Sequence, residues 1–144
     1  MKPTQYPNLA KVNKKPKVYI LDIKEEAIHL AIAEYLDLVI KRPSRWHTTE
    51  VSNQASGFAA MRRQQILKKK GVRTGYPDIT IIDTFVEDGL LINSMIFLEV
   101  KSAKGKLTPA QEALHVELRE DGHECHVVRS VDDVKIILRA LGVI

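Results

Sequence analysis

The amino-acid sequence predicts an α/β fold, with one mixed central β-sheet flanked by helices. Segments with apolar residues three and four positions apart, typical of amphipathic helices, alternate with short apolar runs that are typical of strands. Their order is helix, strand, helix, strand, strand, helix, strand, helix. The chain has 144 residues, of which 44% are hydrophobic and 28% charged, and this is enough apolar material for one domain.

The first predicted helix covers roughly residues 23–40. Asp22 is its expected N-cap, Glu25 follows three residues later as in a capping box, and Pro43 prevents its continuation. The helical pattern is carried by apolar residues at spacings of three and four: Ile28, Ile32, Leu36 and Val39.

A strand and a second helix are predicted next. Aromatic and β-branched residues concentrate at 46–51 and indicate the strand, and a turn follows at 52–54. The second helix, at 58–70, is strongly basic, and Gly71 provides its C-terminal cap.

A β-hairpin is predicted in the middle of the chain. Its strands are the apolar segments 78–84 and 95–102, and the turn region between them covers 86–93. Asp88-Gly89 at the centre of this region is a strong signal for a tight turn.

The C-terminal third predicts a helix, a strand and a last helix. Thr108 caps the third helix and Pro109 occupies its first position. A strand at 124–129 follows, and Ser130 caps a helix at 131–141. A strand followed by a helix and another strand predicts a crossover connection, and hence a mixed sheet.

Composition and charge narrow the classes of function. Residues 1–21 are interpreted as a basic N-terminal arm and residues 22–144 as a single domain. Lys plus Arg number 22 against 18 Asp plus Glu, and the net charge of +4 suits a nucleic-acid partner. No apolar stretch approaches the roughly 20 residues that cross a membrane, and the N-terminus lacks the apolar core of a signal peptide. The single cysteine, Cys125, fits a reducing compartment.

Two segments of the hairpin carry the candidate chemistry. Asp78 follows Pro77 at the head of the first strand, and Glu99 and Lys101, two residues apart on the second, project from one face. Such groups within an apolar strand cost desolvation energy that no folding requirement explains. A metal site explains them, because Asp78 and Glu99 supply hard oxygen ligands for Mg²⁺ or Mn²⁺, with the Val100 backbone carbonyl as a candidate third ligand. Lys101 would then lie beside the bound water or the scissile phosphate. Its expected roles are to orient or help to deprotonate the attacking water and to stabilise the pentavalent phosphate.

The sequence resembles the VRR-NUC branch of the PD-(D/E)xK nuclease superfamily over about residues 22–141. The resemblance rests on the order and spacing of GYPDIT at 75–80, FLEVKS at 97–102 and GKLTPAQ at 105–111. It implies a restriction-endonuclease-like core in a single nuclease domain at 22–144, and metal-dependent cleavage of phosphodiester bonds. Members of this family are associated with the cutting of branched DNA.

The family also has an acidic residue on its first helix, and Glu25 and Glu26 compete for this position. Helical spacing places Glu25 on the inward face with Ile28, so Glu25 is the favoured metal-binding or water-positioning carboxylate. The alternative is that Glu25 only caps the helix. Gln111 matches the family's glutamine, and we expect it to hydrogen-bond a metal-bound water or a phosphate near a helix N-terminus. An exposed amide is the alternative for Gln111.

Two basic clusters bracket the predicted metal site along the chain and are candidate contacts to DNA phosphates. They are Arg62, Arg63, Lys68, Lys69, Lys70 and Arg73 before the first carboxylate, and Lys104 and Lys106 after Lys101. Taken singly, such charges are more often solvated surface groups. His47 and His115 are predicted to be surface or interface residues.

Together these expectations describe a Mg²⁺- or Mn²⁺-dependent DNA endonuclease, structure-selective on branched DNA such as four-way (Holliday) junctions. One metal site makes one nick, so the paired incision of a junction predicts a homodimer. A sequence-specific restriction or homing-type nuclease, a non-catalytic DNA-binding module with the same fold, and an RNA substrate are the alternatives. Resemblance to phage and bacterial members implies the cytoplasm of a prokaryotic or phage-infected cell.

Overall fold

The computed structural model describes residues 23–49 and 56–144, which form an α/β fold of helices packed on a mixed sheet. The predicted fold class and the predicted order of elements are both confirmed. In chain order the elements are α1 (Glu25–Val39), β1 (Arg45–Thr48), α2 (Gly57–Lys69), β2 (Ile79–Glu87), β3 (Leu90–Val100), α3 (Pro109–Glu120), β4 (Glu124–Val128) and α4 (Val131–Ala140).

Four expectations fall outside the described residues. They are the basic arm at 1–21, the Asp22 cap, the turn at 52–54 and the last two positions of the strand predicted at 46–51.

The described sheet has the strand order β1-β2-β3-β4. β1 and β3 both pair antiparallel with β2, whereas β4 pairs parallel with β3. Because α3 lies between β3 and β4 in the chain, it makes the predicted crossover that a parallel pair requires.

The hairpin strands are longer than predicted, and the expectation of a loop at 86–93 is wrong. Asp88 and Gly89 have φ angles of 51° and 79° and form a two-residue turn. Such a turn matches the twist of the flanking strands, so the ladder continues to the pair Glu87–Leu90.

Strand alternation divides the residues of β3 between two layers. Ile96, Leu98 and Val100 pack into the apolar core together with residues of α1 and α4. Glu99 and Lys101 point to the opposite side of the sheet, where α3 contacts Glu99.

Helix starts follow the sequence signals in two of three cases. α3 begins with the capping box of Thr108 and Gln111, and the Ser130 hydroxyl accepts a hydrogen bond from a backbone N–H in the first turn of α4. In α1 the N-cap is Lys24, which makes no side-chain cap bond, so Glu25 is not the third residue of a capping box that starts there. Glu25 is thereby the first helical residue, and its carboxylate is available for other contacts.

α2 differs from the other helices because none of its side chains is buried. It ends with the predicted Gly71 cap, where the backbone N–H groups of Gly71 and Val72 bond to carbonyls of the last turn. No helix in the described part of the chain has the length and apolar character needed to cross a membrane.

Candidate active site

Asp78 and Glu99 face each other across β2 and β3. The ladder pairs Ile79 with Leu98, and one further step along the ladder places Asp78 opposite Glu99. Since Ile79 and Leu98 point into the core, alternation turns both carboxylates toward the α3 side of the sheet. The hairpin therefore brings together the two residues that were predicted as metal ligands.

Asp78 is anchored through its backbone on the β1 side and through its side chain on the β3 side. Its carbonyl accepts hydrogen bonds from the Thr49 N–H at 2.8 Å and the Thr48 hydroxyl at 3.0 Å, and the Thr49 hydroxyl donates to the Pro77 carbonyl. Asp78 Oδ2 accepts a 2.8 Å hydrogen bond from the Val100 N–H. The N–H and C=O of a strand residue lie on the same side, so the Val100 carbonyl also faces the Asp78 side.

Glu99 is a completely buried carboxylate, and its Oε1 atom accepts two hydrogen bonds. The donors are Lys101 Nζ at 2.8 Å and Gln111 Nε2 at 2.5 Å. Burial raises the pKa of Glu99 to about 7; the Lys101 hydrogen bond opposes this rise, and the negative charge of Asp78 adds to it. A cation bound at this carboxylate would stabilise its ionised form.

Lys101 stays protonated although it is largely buried. Burial alone would lower its pKa, but the hydrogen bond to Glu99 and the negative charges of Glu99, Glu25 and Asp78 raise the pKa above its ordinary value. A permanently charged ammonium group is suited to stabilising negative charge and orienting a water molecule. It is poorly suited to removing a proton from that water.

The Gln111 amide is held at both ends. Its Oε1 accepts a 2.9 Å hydrogen bond from the Thr108 N–H, and the Thr108 hydroxyl accepts one from the Gln111 N–H at 3.3 Å. Because the oxygen is used in the cap, the amide nitrogen is the atom that faces Glu99. Gln111 thus orients Glu99, and its contact with a metal-bound water or a phosphate stays a prediction.

Gly75 allows the loop before Asp78 to pack directly on the start of α3. It has a φ angle of +85°, and a Cβ at this position would lie 2.7 Å from the carbonyl of Ala110 and 2.8 Å from the backbone nitrogen of Gln111. No side chain fits there without displacing the helix. The glycine of the sequence motif therefore brings the Asp78 loop and Gln111 to the same place.

Glu25 contacts the loop that follows β3. Its Oε1 accepts a 3.2 Å hydrogen bond from the Ser102 N–H, and a Cβ at Gly105 would lie 2.8 Å from this oxygen. Arg129, just after β4, fixes the same loop by donating to the Ser102 carbonyl and, at 2.9 Å, to the Gly105 carbonyl. Sequence reasoning assigned no role to Arg129, whose only signal is its place at the end of the strand that pairs with β3.

Glu25 and Glu26 both line a cleft of about 580 Å³ that also reaches Asp78 and the Val100 backbone. Both residues are exposed and neither is buried with the apolar side chains of α1. The reason is that α1 starts at Glu25 and its first turn extends into the cleft. Of the two, Glu25 is the one that bonds to the loop after β3, and the choice between them stays a prediction. His29, one turn further along α1, lines the same cleft and was not singled out from the sequence.

The donor set of this site fits a hard divalent cation. Glu99 Oε2 is buried without a hydrogen-bond partner, although a carboxylate has about four acceptor positions. Three carboxylates and no Lys or Arg are among the described residues that line the cleft, so a bound cation there would offset their repulsion of a phosphate. Within residues 23–49 and 56–144, no three His, Cys, Asp or Glu side chains are grouped closely enough to hold a metal by themselves. A metal bound here would therefore also need the Val100 carbonyl and water or substrate oxygens as ligands, as is common for Mg²⁺.

His115 is not a surface or interface residue, so that prediction is wrong. It is 1% exposed on α3, its Nε2 lies 3.8 Å from Glu99 Oε2, and neither ring nitrogen has a hydrogen-bond partner. Burial, followed by neighbouring positive charges, lowers the pKa of His115, which keeps the imidazole neutral. The available signal was its spacing of four from Gln111, which places both on one helix face. His47, by contrast, is exposed on β1 as predicted.

Two of the predicted phosphate contacts lie close to Asp78. Lys68 and Arg73 line a second cleft, of about 560 Å³, which also reaches Asp78. Arg73 forms an exposed 2.5 Å ion pair with Glu117 of α3.

The other predicted phosphate contacts are exposed side chains farther along α2 and on the loop after β3. They are Arg62, Arg63, Lys69, Lys70, Lys104 and Lys106. Lys104 and Lys106 flank Gly105, the residue that Glu25 Oε1 approaches.

Comparisons with known proteins show the family and the fold of the chain. A family model described as the VRR-NUC domain matches residues 24–132, which is more than half of the chain. A solved structure described as a VRR_NUC domain protein has a similar fold, with a TM-score of 0.54. The match covers 82% of this chain and 87% of that chain at 21% sequence identity. A search of curated protein sequences finds no match to the chain.

Proposed function

The chain belongs to the VRR-NUC domain family of nucleases, and on that premise we propose that it is a metal-dependent DNA endonuclease. The observation that carries this proposal is the placement of Asp78 opposite Glu99, with the Lys101 ammonium 2.8 Å from Glu99. Phosphodiester hydrolysis concentrates negative charge on the reacting phosphate. Paired carboxylates that bind a cation, with an ammonium group beside them, supply the positive charge this requires.

Asp78, Glu99 and the Val100 carbonyl are the groups that would hold Mg²⁺ or Mn²⁺. A divalent cation bound there supplies a Lewis acid that polarises phosphoryl oxygens and lowers the pKa of a bound water. The contribution of the chain is to fix the ligands in place. The Val100 N–H holds Asp78, while Lys101 and Gln111 hold Glu99.

Lys101 is assigned the stabilisation of negative charge on the scissile phosphate and the orientation of the attacking water. Its raised pKa supports these roles over that of a general base. Glu25 is assigned a second position beside the reacting water, because it lies on the same cleft as Asp78.

The route proposed for DNA follows the charge of the two clefts that meet at Asp78. Lys68 and Arg73 make one cleft basic, whereas Glu25 and Glu26 make the other acidic. A strand held along the basic cleft would bring a phosphate to Asp78, and the exposed cations of α2 and of the loop after β3 would extend the contact. These are contacts to the DNA backbone, so they give affinity without base specificity.

We further assign branched DNA as the substrate, four-way junctions in particular, and a homodimer as the active form. The family's association with branched DNA supports the substrate. The dimer is supported by the single Asp78–Glu99 pair in the described chain, because resolving a junction takes two symmetric incisions and a two-fold dimer supplies two sites.

A cleavage panel tests the chemistry and the substrate together. Single-stranded, duplex, flap and four-way DNA, with a matched four-way RNA, would each be incubated with Mg²⁺, Mn²⁺ or EDTA. The expected result is cleavage of branched DNA with either metal and no cleavage in EDTA. Cleavage that persists in EDTA, or no cleavage of any substrate with metal, would overturn the proposal.

The dimer is tested by mass and by mixing. Light scattering should give twice the monomer mass, both free and on junction DNA. Mixed dimers of wild-type and Asp78→Ala chains should nick one strand of a junction. If paired cuts instead remain in proportion to the wild-type protein alone, the two incisions do not come from one dimer.

A further inference from the structure

Two buried polar groups face each other behind the carboxylate pair, and neither has a hydrogen-bond partner in the described structure. One is the Oε2 atom of Glu99, and the other is the imidazole of His115. Glu99 is 0% exposed and His115 is 1% exposed, so solvent does not satisfy them. His115 Nε2 is 3.8 Å from Glu99 Oε2, about 0.9 Å longer than an ordinary N–H···O hydrogen bond.

α3 presents two residues to Glu99 from successive turns. Gln111 and His115 are four positions apart, which places them one above the other on the same helix face. Gln111 Nε2 donates to Oε1 of the carboxylate, and His115 stands next to Oε2. The helix therefore offers one nitrogen to each oxygen of Glu99.

Stability does not explain a histidine at this position. A buried polar group without a hydrogen bond costs roughly 1–3 kcal/mol, and this cost falls on both His115 and Glu99. The adjacent Leu114 is also buried, so the helix accepts a large apolar side chain at this depth. An imidazole here is consistent with a role toward Glu99.

We propose that His115 is a positioning residue of the active site, whose imidazole donates its Nε2–H to Oε2 of Glu99. With Gln111 on Oε1, the carboxylate plane is then fixed, and a lone pair stays open on Oε2 for a cation. A small rotation of either side chain closes the gap of about 0.9 Å to hydrogen-bond distance. This inference rests on the proposed function, because it assigns His115 a role toward the metal ligand Glu99.

The test compares His115→Leu and His115→Gln with the wild-type protein. Mn²⁺ binding is measured by isothermal titration, and thermal unfolding is measured without metal. We expect His115→Leu to bind Mn²⁺ roughly tenfold more weakly, since the loss of an outer hydrogen bond to a metal ligand typically costs 10–100-fold. Its melting temperature should change little, so that the loss of affinity is not explained by loss of the fold. His115→Gln keeps a donor and should recover most of the affinity.

Leu114→Ala is the matched control on the same helix. It opens a cavity and should lower the melting temperature, but the folded protein should keep the wild-type Mn²⁺ affinity. A merely structural His115 would resemble this control. Wild-type Mn²⁺ affinity in His115→Leu would overturn the inference and leave the proposed function intact. A wild-type protein that binds no Mn²⁺ would overturn both.

A second measurement keeps the inference testable if His115→Leu does not fold. ¹⁵N NMR of the wild-type imidazole reports which ring nitrogen carries the proton. A protonated Nε2 that exchanges slowly with water is the expected result, and an unprotonated Nε2 would overturn the inference.

Discussion

The two ends of the β2–β3 hairpin invert the usual distribution of polar and apolar side chains. At the site end, Glu99 is completely buried and Lys101 is 9% exposed. At the turn end, Val86, Leu90 and Leu91 are 69%, 66% and 64% exposed. One hairpin therefore buries charge at one end and exposes apolar side chains at the other.

The difference indicates that the site end, and not the turn end, has side chains that folding alone does not explain. In the described sheet, residues 83–95 pair only within the hairpin, so the turn end is exposed whatever its composition. Scattered apolar side chains on a surface are ordinary and cost little. Buried ions cost several kcal/mol each unless they are well paired, so Glu99 and Lys101 need a reason beyond folding. The proposed metal-assisted cleavage of a phosphodiester would supply that reason.

The largest effect is expected when a carboxylate is removed from the site end. Asp78→Ala and Glu99→Ala should each lower the cleavage rate at least roughly a thousandfold, because both contribute to holding the metal. DNA binding in EDTA should stay largely intact, since the basic side chains are untouched. Glu87→Ala, at the turn end of the same hairpin, is the matched control and should keep the wild-type rate. Full activity of either carboxylate variant would refute the metal site.

Removing the Lys101 ammonium group from the site end should separate metal binding from turnover. Lys101→Ala should still bind Mn²⁺ in a titration, because the oxygen ligands remain. Its single-turnover cleavage rate should fall roughly a hundredfold or more, as expected when charge stabilisation of the reacting phosphate is lost. Equal rates for this variant and the wild type would assign Lys101 to ion pairing alone.

The buried carboxylate should make metal-free stability depend on pH. The pKa of Glu99 is about 7 in the folded protein and 4.5 ordinarily, so its stabilising contribution is present below pH 4.5 and is lost as pH rises through 7. Glu99→Gln should therefore match the wild type near pH 4.5 and exceed it at pH 8 by roughly 3 kcal/mol at most. Urea unfolding of both proteins across this range measures the difference, and a constant difference would contradict the raised pKa.

The two glutamates at the start of α1 should have unequal effects. Glu25→Gln should slow cleavage roughly tenfold, because Glu25 contacts the loop after β3 and acts electrostatically on Glu99. Glu26→Gln should slow it less than about threefold, and neither variant should lose thermal stability to a matching degree. Small and equal effects would mean that Glu25 only begins helix α1 and has no role in cleavage.

The smallest effect is expected at the turn end. Val86→Thr and Leu91→Thr should each change the free energy of unfolding by less than about 0.5 kcal/mol, because both side chains are exposed. Leu98→Ala, buried on the same hairpin, should cost about 2–5 kcal/mol and calibrates the urea experiment. A loss above 1 kcal/mol at the turn end, or a change in mass by light scattering, would mean that this end is covered in the assembled protein.

Most of the fold was predictable because each element carries a local signal. α3 follows from Thr108-Pro109, and the second half of β3 from the apolar residues Met95–Leu98 and Val100 on either side of Glu99. The length of the hairpin was not predictable in the same way. Asp88-Gly89 indicates a tight turn, but the sequence does not show how far the ladder continues on either side of it.

In the candidate site, the contacts fixed by strand pairing were predictable from the sequence, whereas those that depend on helix docking were not. Asp78 and Glu99 were predicted to meet because a hairpin fixes their register. The contacts of Gln111 and His115 with Glu99 depend on how α3 docks on the sheet, and no pairing rule gives this from sequence. A buried histidine and a surface histidine look alike in a single sequence, so the position of His115 was misjudged.

The most direct test of the metal site is the anomalous scattering of Mn²⁺ in crystals of the wild-type protein and of Asp78→Asn. The expected result is an anomalous peak that contacts the Asp78 and Glu99 carboxylates and the Val100 carbonyl in the wild type, and no peak there in the variant. Cleavage in the same Mn²⁺ solution would be measured in parallel. An active wild-type protein whose only Mn²⁺ peak lies away from Asp78 and Glu99 would contradict the assignment of this pair as the catalytic metal site.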